Sequence, residues 1–257
     1  MTNIIINTDL CKGCGKCSKD CPVQIIKIEN GKAKIPEELK SNCLQCGHCQ
    51  SICSSQAISI FNLPNEKLNQ KPETLIDIIK YRRSIRNFKE ESIPIEKLKE
   101  IIQIAKYSPS ACNFRPMKFL IVNRPKLTEK LNELINYCEN HPECSEYVKY
   151  VCKMQKEADF IARGAPHVLI AYCEEKWDMW GLDDATIMLT QIELVLSNSG
   201  YGSLWLGCMR YLLQTPGSME IFGLKGYKCY GAFAIGIPNV HYSNLISRED
   251  VDISVME

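Results

Sequence analysis

Cysteine spacing constrains this chain more than any other feature. Eight of its 15 cysteines fall between residues 11 and 53, and the other seven are spread singly over the remainder of the 257 residues. The eight form an internal repeat. Cys11-Lys-Gly-Cys14-Gly-Lys-Cys17-Ser-Lys-Asp-Cys21 returns 32 positions later as Cys43-Leu-Gln-Cys46-Gly-His-Cys49-Gln-Ser-Ile-Cys53. Ile26 and Ile28 of the first copy fall opposite Ile58 and Ile60 of the second. Each copy is therefore expected to be a cysteine loop, a short turn of helix and a short strand. The opening residues, MTNIIINTDLCKG, lack a basic stretch followed by an apolar one, so no secretory signal is expected. In a reducing cytoplasm, dense cysteines bind metal more often than they pair as disulfides.

The spacing C-x2-C-x2-C-x3-C is that of bacterial iron–sulfur ligation, in which three thiolates of one loop hold three corners of a cluster and the fourth cysteine reaches the other cluster. On this pattern one [4Fe–4S] cluster takes Cys11, Cys14, Cys17 and Cys53, and the other takes Cys43, Cys46, Cys49 and Cys21. The competing reading is a pair of structural zinc sites, but zinc usually draws its ligands from two separated knuckles. Here four cysteines fall within eleven residues, twice. Residues 4–61 resemble a two-cluster bacterial ferredoxin. The proline that follows the fourth cysteine in that family is present as Pro22 and replaced by Ser54 in the second copy.

Residues 63–73, LPNEKLNQKPE, are polar, carry two prolines and have no periodicity. They read as a linker between a domain over 1–62 and a second over 74–257. In the second, Leu75, Ile78 and Ile79 line one face of a short helix, and Glu96–Lys106 forms another. Lys118–Asn123 and His167–Cys173 are strand candidates, separated by amphipathic helices near 126–138 and 145–162. Asp184–Ser199 is apolar nearly all round, as in a helix buried in a large core or a subunit interface. Ser203–Leu206 and Tyr230–Ile235 complete the strands. Strand and helix alternate without a regular βαβ count, so an α+β fold is expected. With 31 basic and 30 acidic residues, no global field draws in nucleic acid or an anionic membrane. No apolar run approaches the 18 or so residues that span a bilayer. A cytoplasmic protein is expected.

Residues 74–257 hold no Gly-rich phosphate loop, and the four histidines (48, 141, 167 and 241) are scattered. Arg82-Arg83-Ser84-Ile85-Arg86-Asn87-Phe88 offers three guanidinium groups and a hydroxyl, a donor set matched to phosphate. The same arginines could instead stabilise the negative end of a helix. Together RRSIRNF, SPSACNFRPMKFLIV (108–122), GYGSLWLG (200–207) and YGAFAIGIP (230–238) resemble the nitroreductase family in order and spacing over about 180 residues. That resemblance implies an α+β domain, an intertwined homodimer and FMN at the subunit interface. It further implies that Arg82, Arg83, Ser84 and Arg86 hold the FMN phosphate and ribityl chain. Pro109, Ser110 and Asn113 would contact the ring from the other subunit. Arg115 stands where the family commonly has glutamine. Leu206 and Gly207 would approach the ring through their backbone, and Arg248 is the candidate basic residue near the C-terminus for the phosphate. Cys112 and Cys208, like Cys138, Cys144, Cys152, Cys173 and Cys229, read as small space-fillers.

The combination reads as an iron–sulfur flavoprotein oxidoreductase. Electrons would pass through two [4Fe–4S] clusters to FMN, which reduces a small acceptor of nitroaromatic, quinone or enone type. An external ferredoxin or NAD(P)H would be the donor. No catalytic side chain is expected, because the flavin itself makes the transfer. The alternative is an electron-transfer or redox-sensing flavoprotein with a protein partner and no dedicated small substrate.

Overall fold

The computed structural model describes residues 4–61, 63, 65–68 and 72–256. Residues 1–3, 62, 64, 69–71 and 257, which include parts of the expected first domain and linker, lie outside the described residues. The chain forms two compact units, Met1–Tyr81 with Val240–Glu257, and Arg82–Asn239. The C-terminal segment thus packs with the first unit, whereas the sequence boundaries placed it in the second domain.

The first unit holds β1 (Ile4–Ile6), α1 (Lys16–Asp20), β2 (Lys27–Glu29), β3 (Lys32–Lys34), α2 (His48–Ile52), β4 (Ile58–Ile60) and α3 (Leu75–Tyr81). β1 pairs antiparallel with β4, and β2 with β3. The sequence repeat is also a backbone repeat. Left-handed residues recur at the same interval of 32, as Gly13 and Gln45, Gly15 and Gly47, and Gln24 and Gln56. Gly15 and Gly47 each open a short helix, at φ 73° and 79°, a conformation that costs a residue with a Cβ. Ile26, Ile58 and Ile60 are buried while Ile28 is exposed, so the core is not shared evenly between the copies.

Part of the stretch expected to be a bare linker is paired with residues near the C-terminus. Leu68 N–H donates to Ser243 O and Leu245 N–H donates to Glu66 O, at 3.0 and 2.9 Å. α3 differs from expectation as well. None of its residues is buried, and Leu75, Ile76 and Ile79 are all exposed.

The second unit holds α4 (Ile95–Ile102), β5 (Lys118–Asn123), α5 (Arg124–Asn140), α6 (Glu146–Glu157), β6 (His167–Glu174), α7 (Asp178–Asn198), β7 (Gly202–Trp205), α8 (Gly207–Leu212) and β8 (Tyr227–Gly236). A four-stranded antiparallel sheet runs in the order β5-β6-β8-β7. Its core joins Leu169, Ala171, Phe233 and Ile235 of the sheet to Leu98, Ile101, Ala185, Leu189, Ile192 and Leu196 of α4 and α7. The architecture is α+β, as the irregular alternation implies. α7 buries Ala185, Met188, Leu189, Ile192 and Leu196 together with Asp184 and Glu193, while Ile187 is exposed, so within this chain the helix is buried along one face and not all round. It starts six residues earlier than the apolar pattern, because its first turns carry the exposed side chains of Met179, Trp180 and Leu182. Cys138, Cys152, Cys173 and Cys229 are buried fillers. Cys144 and Cys208 are half-buried, and Cys112 is exposed, so it fills no interior space. Among the described residues, no helix is long and apolar enough to cross a membrane.

Candidate functional site

The first unit brings the eight repeat cysteines into two groups that cross the repeat. Burial pushes the Cys17 thiol up to about 11, reinforced by the thiols of Cys53, Cys11 and Cys14 beside it. Cys49 is likewise pushed up, first by burial and then by Cys46, Cys21 and Cys43. Each quartet therefore takes three members from one loop and the fourth from the other. Four thiolates gathered in a half-buried place repel one another unless a cationic centre sits among them. Among the described residues, no three His, Cys, Asp or Glu side chains close around a single ion. The number of thiols and the crossing of the two quartets fit a pair of cubane clusters.

Backbone donors already face these sulfurs. Gly13 and Ala33 donate N–H to Cys11 Sγ at 3.4 and 3.3 Å. Gln45 donates to Cys43 Sγ at 3.4 Å and Ala57 to Cys53 Sγ at 3.3 Å. Such bonds orient metal-bound sulfur and tune its charge. The glycine at position 13 is enforced by space, since a Cβ there would lie 2.0 Å from Gly31 O. Lys32 Nζ donates to Cys11 O at 2.7 Å, putting a cation on the first loop.

In the second unit the RRSIR segment runs beside β7. Ser84 bridges Ser203, and Ile85 N–H donates to Ser203 O at 2.9 Å. This close approach is open to Gly202, where a Cβ would lie 2.6 Å from Ile85 Cγ1. Arg83 is buried; Arg82, Ser84 and Arg86 are half-buried. Arg82 is already paired, its Nη1 donating to Glu193 Oε1 at 3.2 Å. Glu193 also accepts from Ser203 Oγ at 3.2 Å and from Trp205 Nε1 at 3.4 Å. At the far end of β7, Leu206 is buried while Gly207 is exposed, and a Cβ on Gly207 would meet no heavy atom within 4 Å. A row of guanidinium donors leading to open backbone at Gly207 fits a phosphate-bearing planar ligand.

Pro109, Ser110, Asn113 and Arg115 share one loop. Ser110 Oγ accepts from Arg115 N–H at 3.0 Å, and Arg115 Nε donates to Asn113 Oδ1 at 2.9 Å. Cys112, Asn113 and Arg115 all have positive φ. The loop is anchored to α7 by Ala111 N–H on Asp184 Oδ1 and by Ser108 Oγ on Gln191 Oε1. Arg248 lies in the first unit, where its guanidinium donates to the carbonyls of Gln45 and Cys46. That differs from its expected place in the flavin domain. The tail carrying it is held by α2 instead.

Two residues were missed from sequence. Glu193 organises Arg82, and its signal was an acid on the buried face of an apolar helix, where acids are rarely left without partners. Arg163 sits at φ 54° with its guanidinium 4.7 Å from the Phe160 ring. Burial and then repulsion from Arg86 hold it below the usual arginine range, so it shares the neighbourhood of the RRSIR cations. Nothing in its local pattern separates it from an ordinary surface arginine.

Two family profiles match this chain. The profile of the nitroreductase family matches residues 79–237, and that of the 4Fe-4S dicluster domain matches residues 3–54. A putative NADH dehydrogenase/NAD(P)H nitroreductase of Methanothermobacter thermautotrophicus is 26% identical over 168 residues, which span 64% of this chain and 77% of that one. A putative NAD(P)H nitroreductase of Bacillus subtilis is 27% identical over 177 residues, 66% of this chain and 87% of that one. In fold, the chain is similar to an FMN-bound nitroreductase of Bacteroides fragilis, with a TM-score of 0.59 at 20% identity over 72% of this chain and 100% of that one. With a family profile covering more than half of its length and the sheet and helices to match, this chain belongs to the nitroreductase family, and a segment matching the 4Fe-4S dicluster domain precedes its nitroreductase domain.

Proposed function

We propose that this chain is a cytoplasmic iron–sulfur flavoprotein oxidoreductase. It takes electrons from an external ferredoxin or NAD(P)H, carries them on two [4Fe–4S] clusters and FMN, and reduces a small nitroaromatic, quinone or enone acceptor. The observation that carries this reading is the crossing of the two cysteine quartets in a chain whose other unit is a nitroreductase domain. When bound, the clusters supply one-electron carriers and FMN converts between one-electron and two-electron chemistry.

The protein's own part is to hold, orient and charge. Cys11, Cys14, Cys17 and Cys53 hold one cluster, and Cys21, Cys43, Cys46 and Cys49 hold the other. Arg82, Arg83, Ser84 and Arg86 bind the phosphate and ribityl chain, with Glu193 fixing the direction of Arg82. Leu206 and Gly207 offer backbone to the ring. Pro109, Ser110, Asn113 and Arg115 complete the site of a partner subunit in a homodimer. Support for the dimer comes from the apolar surface of this region, where Tyr107 is 72% exposed, Phe114 56% and Trp180 44%.

The test is turnover under anaerobic conditions with reduced ferredoxin and, separately, NAD(P)H, against nitro, quinone and enone acceptors. Flavin bleaching is followed in the intact protein and in Cys17→Ser. Bleaching and turnover that fall with the clusters support the reading. Reduction by neither donor, or NAD(P)H turnover undiminished in Cys17→Ser, would sink it.

A further inference from the structure

Residues 240–257 lie outside both segments that match known families, yet they pack with the first unit. The strap they form follows α2, the helix that carries Cys49. Ser243 N–H and Asn244 N–H donate to Ser51 O at 2.9 and 3.1 Å. Asn244 Nδ2 donates to Gln50 O at 2.9 Å and to Cys53 O at 2.8 Å. Gln50 answers with its side chain, donating to Ser247 Oγ at 2.9 Å and accepting from Ser247 N–H at 3.2 Å. Gln50, Ser51 and Asn244 are all buried. Ile246 closes over Gly47, where a Cβ would lie 2.2 Å from Ile246 Cγ2. The strap is thus fixed at Ser243, Asn244, Ile246 and Ser247, and it delivers Arg248 to one place.

There Arg248 Nη1 donates to Gln45 O at 3.4 Å and Nη2 to Cys46 O at 3.3 Å. Both carbonyls belong to the loop that supplies Cys43, Cys46 and Cys49. A guanidinium keeps its charge at any working pH. A cluster that accepts one electron gains one negative charge, and a fixed cation nearby favours that reduced form over the oxidised one. We propose that Arg248 is a positioning residue for redox chemistry. By resting its charge on the second cysteine loop, it raises the reduction potential of the cluster held by Cys21, Cys43, Cys46 and Cys49. The first loop has its own cation, Lys32 on Cys11 O, so the other cluster serves as an internal reference.

This inference rests on the cluster reading proposed above. The full-length protein is purified without oxygen, assayed for iron and sulfide, and titrated with dithionite at low ionic strength while the reduced clusters are followed by EPR. Arg248→Gln is expected to lower one midpoint by a two- to tenfold change in the reduction equilibrium, where tenfold corresponds to about 59 mV for a one-electron couple. The other midpoint and the iron content stay as they were. Arg248→Lys restores most of the shift, and added salt narrows the difference. Two unmoved midpoints in an iron-replete Arg248→Gln protein overturn the inference while leaving the cluster reading intact. Should Arg248→Gln shed iron, Arg248→Lys decides: a native midpoint supports the inference, and one lowered despite the retained charge overturns it. Absence of iron and sulfide from the unaltered protein overturns both.

Discussion

Glu193 Oε1 stands 3.2 Å from Arg82 Nη1, in a pair whose carboxylate side chain is 4% exposed and whose guanidinium is 34% exposed. The same carboxylate accepts from Ser203 and Trp205, so one buried acid ties the RRSIR segment, α7 and β7 together. Glu193→Ala leaves three donors without their acceptor. Water can reach Arg82 and softens the loss there, so a cost of about 1–3 kcal/mol is expected. Glu193→Gln keeps an acceptor and costs less. Urea unfolding of both variants measures the difference, and equal midpoints for Ala and wild type would remove Glu193 from this role.

The crossing of the quartets predicts an exchange of phenotypes between the two fourth cysteines. Cys53→Ser is expected to weaken the cluster seated by Cys11, Cys14 and Cys17. Cys21→Ser is expected to weaken the one seated by Cys43, Cys46 and Cys49. The local alternative, in which each loop keeps its own fourth cysteine, predicts the reverse. Combining each change with a second ligand change settles it. Cys53→Ser with Cys14→Ser should leave about half of the iron and one EPR signal, whereas Cys53→Ser with Cys46→Ser should remove nearly all of it.

His167 gives the second unit an acid-sensitive point. Its Nε2 lies 3.2 Å from Ile93 N and 3.0 Å from Ser92 Oγ, and burial holds the imidazole below the usual histidine range. A protonated ring could not accept the Ile93 N–H. Because the folded value is depressed, the unfolded chain binds the proton first as pH falls. The stability this residue contributes is therefore complete above about pH 6.5 and declines below it, until the folded protein also protonates. Thermal melts of the intact protein between about pH 7.5 and 5 should show that decline, and His167→Gln should flatten it. An unchanged slope in the variant refutes the assignment.

Asn244 is the keystone of the C-terminal strap, with its amide donating to Gln50 O and Cys53 O. Asn244→Ala removes one of the two donors to each carbonyl, leaving Gln50 O with Cys53 N–H and Cys53 O with Gln56 N–H, so a cost of about 0.5–1.5 kcal/mol is expected. Since Cys53 belongs to one quartet and Gln50 adjoins Cys49 of the other, both clusters should bleach faster under a strong iron chelator. Bleaching at the wild-type rate, with unchanged melting, would show that the strap contributes nothing to the first unit.

The cysteine loops were legible because ligand chemistry requires particular residues at particular intervals, and the crossed assignment came from the bacterial ligation pattern that this spacing matches. The second unit's strands and long helices were legible because their burial is periodic. Lys118–Asn123 matched residue for residue. What escaped was held by backbone. The pairing of Glu66–Leu68 with Ser243–Leu245 uses main-chain groups, which any side chain would permit, so a polar, proline-bearing stretch gave no warning of it. Arg248 escaped for a related reason. A basic residue near the C-terminus matched an expectation about phosphate, and only the path of the strap shows that its guanidinium rests on Gln45 and Cys46. α3 failed in the other direction, since the spacing of Leu75, Ile78 and Ile79 suits a buried face that the described residues do not cover.

The strap also fixes an order of events during synthesis. Residues 243–248, which close over α2, leave the ribosome only after all of Arg82–Asn239 has been made. The unit begun first is therefore the one finished last. Its cysteine loops are exposed for the whole time that the rest of the chain is being translated, without the buried amides that later hold them.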